Sequence, residues 1–320
     1  MRKILYILGF IGAVGCAQSH RENKEHNYQI SEAAIEANLN YLASDELKGR
    51  KFGSEEINTA ANYVEEIYKK HNIKPYYKTY RDSFSHRGKS GFNLIAIKEG
   101  SDPVLKNEII ILGAHYDHIG VVVEAKQVNQ DSIANGANDN SAGTVSVLEL
   151  AKYFSTVETK RSLMYVLFSA EEEGLIGSKH LAKRLAEEKV PIYVMLNFEM
   201  IGVPLENVNY TAYLTGFENS NLAEKFNKYA DAEVFGFFEK AKEFQLFKRS
   251  DNFPFYQEMN IPAQTLCTFD FSNYPYYHHV SDEAKLMDVT HMKNLVEQVI
   301  PGIEGMANST EKEIQLNEKK

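Results

Sequence analysis

Acids and histidines stand directly after apolar runs in several parts of this 320-residue chain. The run Ile109-Ile110-Ile111-Leu112 leads to His115-Tyr116-Asp117, and Leu163 to Phe168 leads to Glu171-Glu172-Glu173-Gly174. Tyr193 to Phe198 ends at Glu199, Asp139 sits in a Gly-flanked Gly136-to-Gly143 segment, and Tyr277-His278-His279 comes late. Carboxylates do not continue into a dry core unless something pairs or coordinates them. Each run must therefore end where its acids meet water, a cation or a substrate. Mixed imidazole and carboxylate donors are what a borderline metal such as zinc requires. Any one of these motifs arises by chance. Their joint placement after apolar runs carries the reading.

The elements that would position them follow from periodicity. Near-continuous apolar runs read as strands buried on both faces, as in a parallel sheet, and ligands collect outside the carboxyl ends of such strands. Ser31 predicts an N-cap for a helix burying Ile35, Leu39 and Leu42. Leu47-Lys48-Gly49-Arg50 breaks it, and a second helix carries Ile57, Ala61, Val64 and Tyr68 inward, ending by Asn72 and Pro75. Tyr77 to Phe84 and Asn93 to Ile97 read as strands, with the polar stretch 85–91 as a hairpin loop. Val121 to Ile133 is a polar excursion. The 136–143 segment opens a helix with Val145, Leu148, Ala151 and Phe154 inward, and Ser178 to Lys189 forms another with Leu181 and Leu185 inward. No internal repeat and no linker rich in Pro, Gly or Ser divides the chain, so residues 31–305 read as one α/β domain. A polar tether, 17–30, precedes it and a charged tail, 306–320, follows.

The composition, 43% hydrophobic and 25% charged, is that of an ordinary globular chain. A net charge of −9 without a basic stripe excludes nucleic acid as a partner. Residues 1–16 differ from the rest: Arg2 and Lys3 precede a short apolar stretch, Ile4 to Val14. That stretch is too short for a permanent span and reads as a secretory leader. Ala13-Val14-Gly15-Cys16 resembles a bacterial lipobox, so the expectation is an exported, periplasmic or cell-envelope protein held to a membrane by a lipid on Cys16. Cys267 is the other cysteine, which leaves the mature chain without an internal disulfide.

The segments GAHYDHIG, GANDNSAG, FSAEEEGLIGS, LNFEMIG and YYHHVSD resemble, in order and spacing, those of the zinc aminopeptidases of peptidase family M28. LASDELKGR and SDNFPF are similar too, so the likeness covers Leu42 to Asp282. It implies a three-layer α/β zinc-exopeptidase (phosphorylase/hydrolase-like) fold, with a mixed, mostly parallel twisted sheet between helices. It also implies two zinc ions: His115 and Glu199 on one, Glu172 and His278 on the other, Asp139 bridging. Asp117 would hold the His115 ring, Glu171 would be the general base, and a cis peptide would follow Asp139. Successive residues of an extended chain point to opposite sides, so one of two adjacent glutamates can ligate while the other faces the attacking water. Two divalent ions would lower the pKa of water toward about 7 and polarise a peptide carbonyl. Tyr277 is offered as a donor to the oxyanion, although a core tyrosine fits its position equally.

The chain departs from the family's usual Asp at Glu199, and His279 is an alternative to His278. His118 and His180 read as ordinary structural or surface residues. Phe235, Phe237, Phe238, Phe244 and Phe247 are candidates for a substrate pocket or for plain core, with Tyr274 and Tyr276 better placed for its rim. The implied activity is removal of N-terminal residues from peptides. The alternatives are a one-zinc glutaminyl cyclase of the same fold, a carboxypeptidase-type relative, and a lipid-anchored binding module without metals.

Overall fold

The buried runs form the middle of a nine-stranded sheet. The computed structural model describes residues 28–124 and 127–318, so the leader and Cys16 lie outside the described residues. In chain order, helix α1 (Glu32–Leu42) and helix α2 (Glu55–Lys70) precede strands β1 (Lys74–Pro75), β2 (Arg81–His86), β3 (Lys89–Lys98) and β4 (Ile109–His115). Short strands β5 (Gly120–Val121) and β6 (Ile133–Ala134) pair with each other. Then come α3 (Ala142–Ser155), β7 (Ser162–Phe168), α4 (Ile176–Glu187), β8 (Ile192–Glu199) and β9 (Ala212–Leu214). The chain closes with α5 (Leu222–Ala230), β10 (Phe235–Gly236), α6 (Glu239–Glu243), α7 (Asn252–Met259), β11 (Ala263–Cys267) and α8 (Val289–Asn308). The sheet order is β1-β3-β7-β4-β8-β11-β9-β10, with β2 also pairing β3.

The four central strands, β7-β4-β8-β11, are mutually parallel, and the antiparallel pairings are confined to the two flanks. Every residue of β4 and β7 is buried. Alternate residues of β4 serve the two faces: Ile110, Leu112 and Ala114 join the cluster with α1, α2, α3 and α8, whereas Ile109 and Ile111 join Leu181, Leu185 and Phe255 from α4 and α7. Each fully buried aliphatic or aromatic side chain contributes roughly 1.5–3 kcal/mol. A three-layer arrangement thus follows from strands that are apolar on both sides.

Two expectations shift. The stretch 85–91 is mostly strand, and the hairpin turns on Arg87 and Gly88 alone, at φ 48° and 75°. Positive φ at both central residues matches the twist of the flanking strands, so polar side chains here mark an exposed edge rather than a loop. The final residues are also less loose than their charge suggests. Helix α8 runs to Asn308, Ile314 is buried, its amide donates to Tyr193 Oη at 2.9 Å, and Leu316 bridges Ser220.

Candidate metal centre

Three neighbouring parallel strands deliver the acids and imidazoles to one end of the sheet. His115 is the last residue of β4, with Asp117 and His118 just beyond; Glu171 and Glu172 follow β7; Glu199 closes β8. Asp139 lies at the turn into α3, and the Asp139–Asn140 peptide is cis. Three non-glycine residues beside or within this set have left-handed backbone: Ala170 (φ 58°) before Glu171, Met200 (φ 46°) after Glu199, and His278 itself (φ 54°). Such conformations cost of order 1–3 kcal/mol each and persist where the surroundings over-determine them.

The side chains meet in two clusters that share Asp139. In the first, His115 Nε2 is 2.9 Å from Glu199 Oε1 and 3.2 Å from Asp139 Oδ1. His115 Nδ1 is 3.0 Å from the Asp117 carbonyl oxygen. A carbonyl only accepts, so Nδ1 carries the ring proton. Nε2 then presents a lone pair to two carboxylate oxygens, a repulsive arrangement unless a proton or a cation lies between them. In the second cluster, His278 Nε2 is 3.0 Å from Glu172 Oε2 and 3.2 Å from Asp139 Oδ2. His118 Nδ1 approaches the same acids, 2.8 Å from Glu172 Oε1 and 3.7 Å from Asp139 Oδ2.

These residues fit divalent cations. Asp139 is buried, and its Oδ2 makes no hydrogen bond although two imidazoles face it. Burial favours its neutral form, but His118, His115 and His278 outweigh that and hold the carboxyl well below its ordinary range. Burial likewise disfavours a charged His278, yet Asp139 and Glu172 push its imidazole up to about 10. A field that retains a proton so strongly at Nε2 also suits a metal ion.

Buried supports hold the ligand loops. Arg50, 1% exposed, donates Nε to the Tyr116 carbonyl at 2.8 Å, Nη1 to the carbonyls of Asn135 (2.7 Å) and Leu42, and Nη2 to the Gly136 carbonyl at 3.0 Å. One guanidinium therefore ties the His115 loop to the Asp139 loop. Asp282 accepts from the amides of Asn138 (2.8 Å) and Asp139 (3.0 Å), and from Tyr274 Oη at 2.6 Å. Gly136 has φ 62°, and a Cβ there would lie 2.4 Å from the Asp139 carbonyl and 2.6 Å from His118 Cγ. Only glycine lets the loop close this tightly.

A cavity of about 90 Å³ opens beside the clusters, bordered at one end by Asp139, Glu171, Glu199 and His278. The Glu171 carboxyl makes no hydrogen bond among the described residues; its amide donates to Asp117 Oδ1 at 3.1 Å. Burial, with Asp251, Glu199 and Glu172 nearby, raises the Glu171 carboxyl well above the usual range against the pull of His115. Burial also pushes Asp117 up to about 8 and Asp251 to about 7. A larger concavity, about 1310 Å³, lies around α5 and β10 and contains none of these residues.

All five expected ligands converge, with Glu199 reaching His115 despite its extra methylene. Three details depart from expectation, and one open choice is resolved. His118 is not a bystander but faces Glu172 inside the second cluster. His115 is held by the Asp117 main chain, since the Asp117 carboxylate is farther, at 3.8 Å. Of the adjacent pair, His278 and not His279 enters; His279 Nδ1 accepts from the Ser281 amide. None of Phe235, Phe237, Phe238, Phe244 and Phe247 borders the cavity, nor do Tyr274 and Tyr276; Leu246, Phe269, Phe271 and Tyr277 do. His180 is structural, 3.3 Å from Asp82. The His-x-Asp-His spacing was the available signal for His118, because a chain leaving a strand returns its third residue to the same neighbourhood.

Fold and site together define an α/β protein with two side-chain clusters that could hold metal ions. Residues 93–302 match peptidase family M28, and the chain belongs to that family. It is 36% identical over 140 residues to Leupeptin-inactivating enzyme 1 of Streptomyces exfoliatus, covering 43% of this chain and 28% of that protein. Identity to Aminopeptidase YwaD of Bacillus subtilis is 31% over 130 residues, 40% of this chain and 26% of that one. The match thus spans about a quarter of the length of these curated relatives. Among solved structures, the LapA aminopeptidase of Legionella pneumophila superposes with TM-score 0.67 at 22% identity over 88% of this chain and 73% of that chain. The glutaminyl cyclase of Porphyromonas gingivalis does so with 0.66 at 16% over 85% and 97%. The fold is common to both.

Proposed function

We propose that this protein is a zinc aminopeptidase that hydrolyses the first peptide bond of peptides. One observation carries the reading: two imidazole–carboxylate clusters share Asp139 beside a small cavity bordered by Glu171. His115, Glu199 and Asp139 would hold one ion, and Glu172, His278 and Asp139 the other, with His118 beside Glu172. Divalent ions held there supply Lewis acidity toward a carbonyl oxygen and make water more acidic. Glu171 takes a proton from the attacking water and returns it to the departing amine. Tyr277, stacked on His278 with ring centroids 4.0 Å apart, presents its phenol toward the developing oxyanion. A cavity of about 90 Å³ has the room of roughly three waters. That suits one side chain rather than an extended peptide.

Two features of residues 1–16, the charged start and the small residues before Cys16, support export and anchoring by a lipid on Cys16. Metal analysis together with a panel of aminoacyl anilides tests the main reading. Two zinc ions per chain and release of aniline are expected. One zinc with cyclisation of N-terminal glutamine would replace the reading by a glutaminyl cyclase, and activity that needs a free C-terminus would replace it by a carboxypeptidase.

A further inference from the structure

The cavity beside the metal centre has two unlike ends. Its inner end carries Asp139, Glu171 and Glu199; its outer part carries Arg249, an exposed residue between Leu246 and Ser250. Among the described residues the Arg249 side chain has neither hydrogen bond nor ion pair, although three acids border the same cavity. The other polar groups of the wall are committed. Ser250 Oγ donates to Glu199 at 2.8 Å, Thr265 Oγ1 to Asn252 at 2.7 Å, and Tyr213 Oη to the Phe269 carbonyl at 2.7 Å. Thr215 Oγ1 accepts from the Thr265 amide at 3.3 Å. Away from the acids, the uncommitted donors are therefore the Arg249 guanidinium and the hydroxyls of Tyr277 and Thr215, of which only the guanidinium is charged. Phe269 and Phe271, ring centroids 4.6 Å apart, provide apolar wall beside them.

A guanidinium offers a planar fork of donors and no acceptor, and it matches a carboxylate in both charge and shape. We propose that Arg249 makes the cavity selective for a substrate carboxylate, so that preferred substrates carry a carboxylate within one side chain's reach of the α-amino group that precedes the scissile bond. This rests on the aminopeptidase reading and names its substrate class. The carboxylate has two possible sources: the side chain of an N-terminal Asp or Glu, or the C-terminus of a dipeptide.

Paired substrates distinguish these sources on the zinc-loaded full chain and its Arg249→Met variant. The pairs are Glu- against Gln-p-nitroanilide, and Ala-Leu against Ala-Leu-amide. The ratio of kcat/KM within each pair cancels differences in folding or metal loading between preparations. In the wild type one pair favours the charged member, and Arg249→Met lowers that ratio about 10–100-fold, the worth of a hydrogen bond to a charged group. Loss in the first pair assigns an acidic N-terminal residue, and loss in the second assigns dipeptides. Ratios unchanged in both pairs overturn the proposal and leave Arg249 as a counter-charge to the acids. If no substrate is hydrolysed, the aminopeptidase reading fails by itself. Calorimetry with L-glutamate against L-glutamine then decides the arginine: a glutamate preference that Arg249→Met removes upholds it, and equal affinities in the wild type overturn it.

Discussion

Two kinds of buried acid coexist in this protein. Glu149, inside α3, is 0% exposed, yet it accepts from Tyr28 Oη, from Asn38 Nδ2 at 3.1 Å and from Lys152 Nζ at 2.5 Å. Asp82, in β2, is similarly surrounded by Arg184 (2.6 Å), Asn93 (3.2 Å) and His180 (3.3 Å). At the strand ends the acids face imidazoles and one another, and Asp117 Oδ2, Asp139 Oδ2 and both oxygens of Asp251 lack hydrogen bonds. Buried carboxylates ringed by donors hold a structure together. Buried carboxylates that converge with imidazoles on one point retain positive charge there, as ring protons or as bound cations, which marks them as a candidate cation site.

The contrast is broken most severely by Glu171→Gln. Loss of a general base should lower kcat about 10²–10⁴-fold while zinc content stays at the wild-type level. In chelator-treated protein the same variant should raise Tm by a few degrees, because it removes a carboxyl whose ionisation is disfavoured by burial beside Asp251, Glu199 and Glu172. Near wild-type turnover would remove Glu171 from the mechanism.

Glu149→Gln should do the reverse. It takes the charge from a satisfied network and leaves Lys152 buried without its anion, at a cost of about 3–5 kcal/mol. Thermal denaturation should show a lower Tm with and without chelator, and a variant as stable as the wild type would undo the distinction drawn above.

His118→Ala sharpens the boundary of the metal centre. If His118 belongs to the second cluster, zinc affinity should fall about 10–100-fold by competition with a chelating dye, whereas His279→Ala should leave it unchanged. Equal affinities for the two variants would return His118 to the scaffold.

The smallest effect is in Asp82. Burial alone would raise its pKa, but His180, Arg184 and Asn93 more than offset that, and the folded value lies below the ordinary one. A depressed carboxyl adds stability that is complete above the unfolded pKa of about 3.9 and is lost as pH falls through the folded pKa. The Tm gap between wild type and Asp82→Asn should therefore be constant above about pH 5 and close below about pH 4. A gap that widened on acidification would reverse the sign of the shift.

Much of this was legible in the linear chain for specific reasons. Strands β4, β7 and β8 are apolar on both faces, so their runs could be neither surface strand nor loop. Ser31, whose Oγ accepts from the Ala34 amide at 3.2 Å, announces the start of α1. The β2–β3 hairpin was harder to place, because an exposed edge strand has no pattern that separates it from a polar loop. Arg50 and Asp282 sit in stretches that resemble the family. Their work, closing main-chain carbonyls and amides of two distant loops, is invisible to any reading of residue type. The sequence left the phenylalanines of 235–247 open between pocket and core, and none of them borders the cavity, since aromatic content says nothing about which face of a segment reaches the site.

Local chemistry by itself determined that acids and imidazoles would gather where buried strands end, because a carboxylate cannot follow an apolar strand into a dry core. Only the tertiary structure decided that His118 joins His278 beside Glu172, that the Asp117 main chain rather than its carboxylate orients His115, and that Arg249 borders the same cavity as Glu171. Those choices depend on loop backbone closed by long-range hydrogen bonds from Arg50 and Asp282, and spacing along the chain does not encode such contacts.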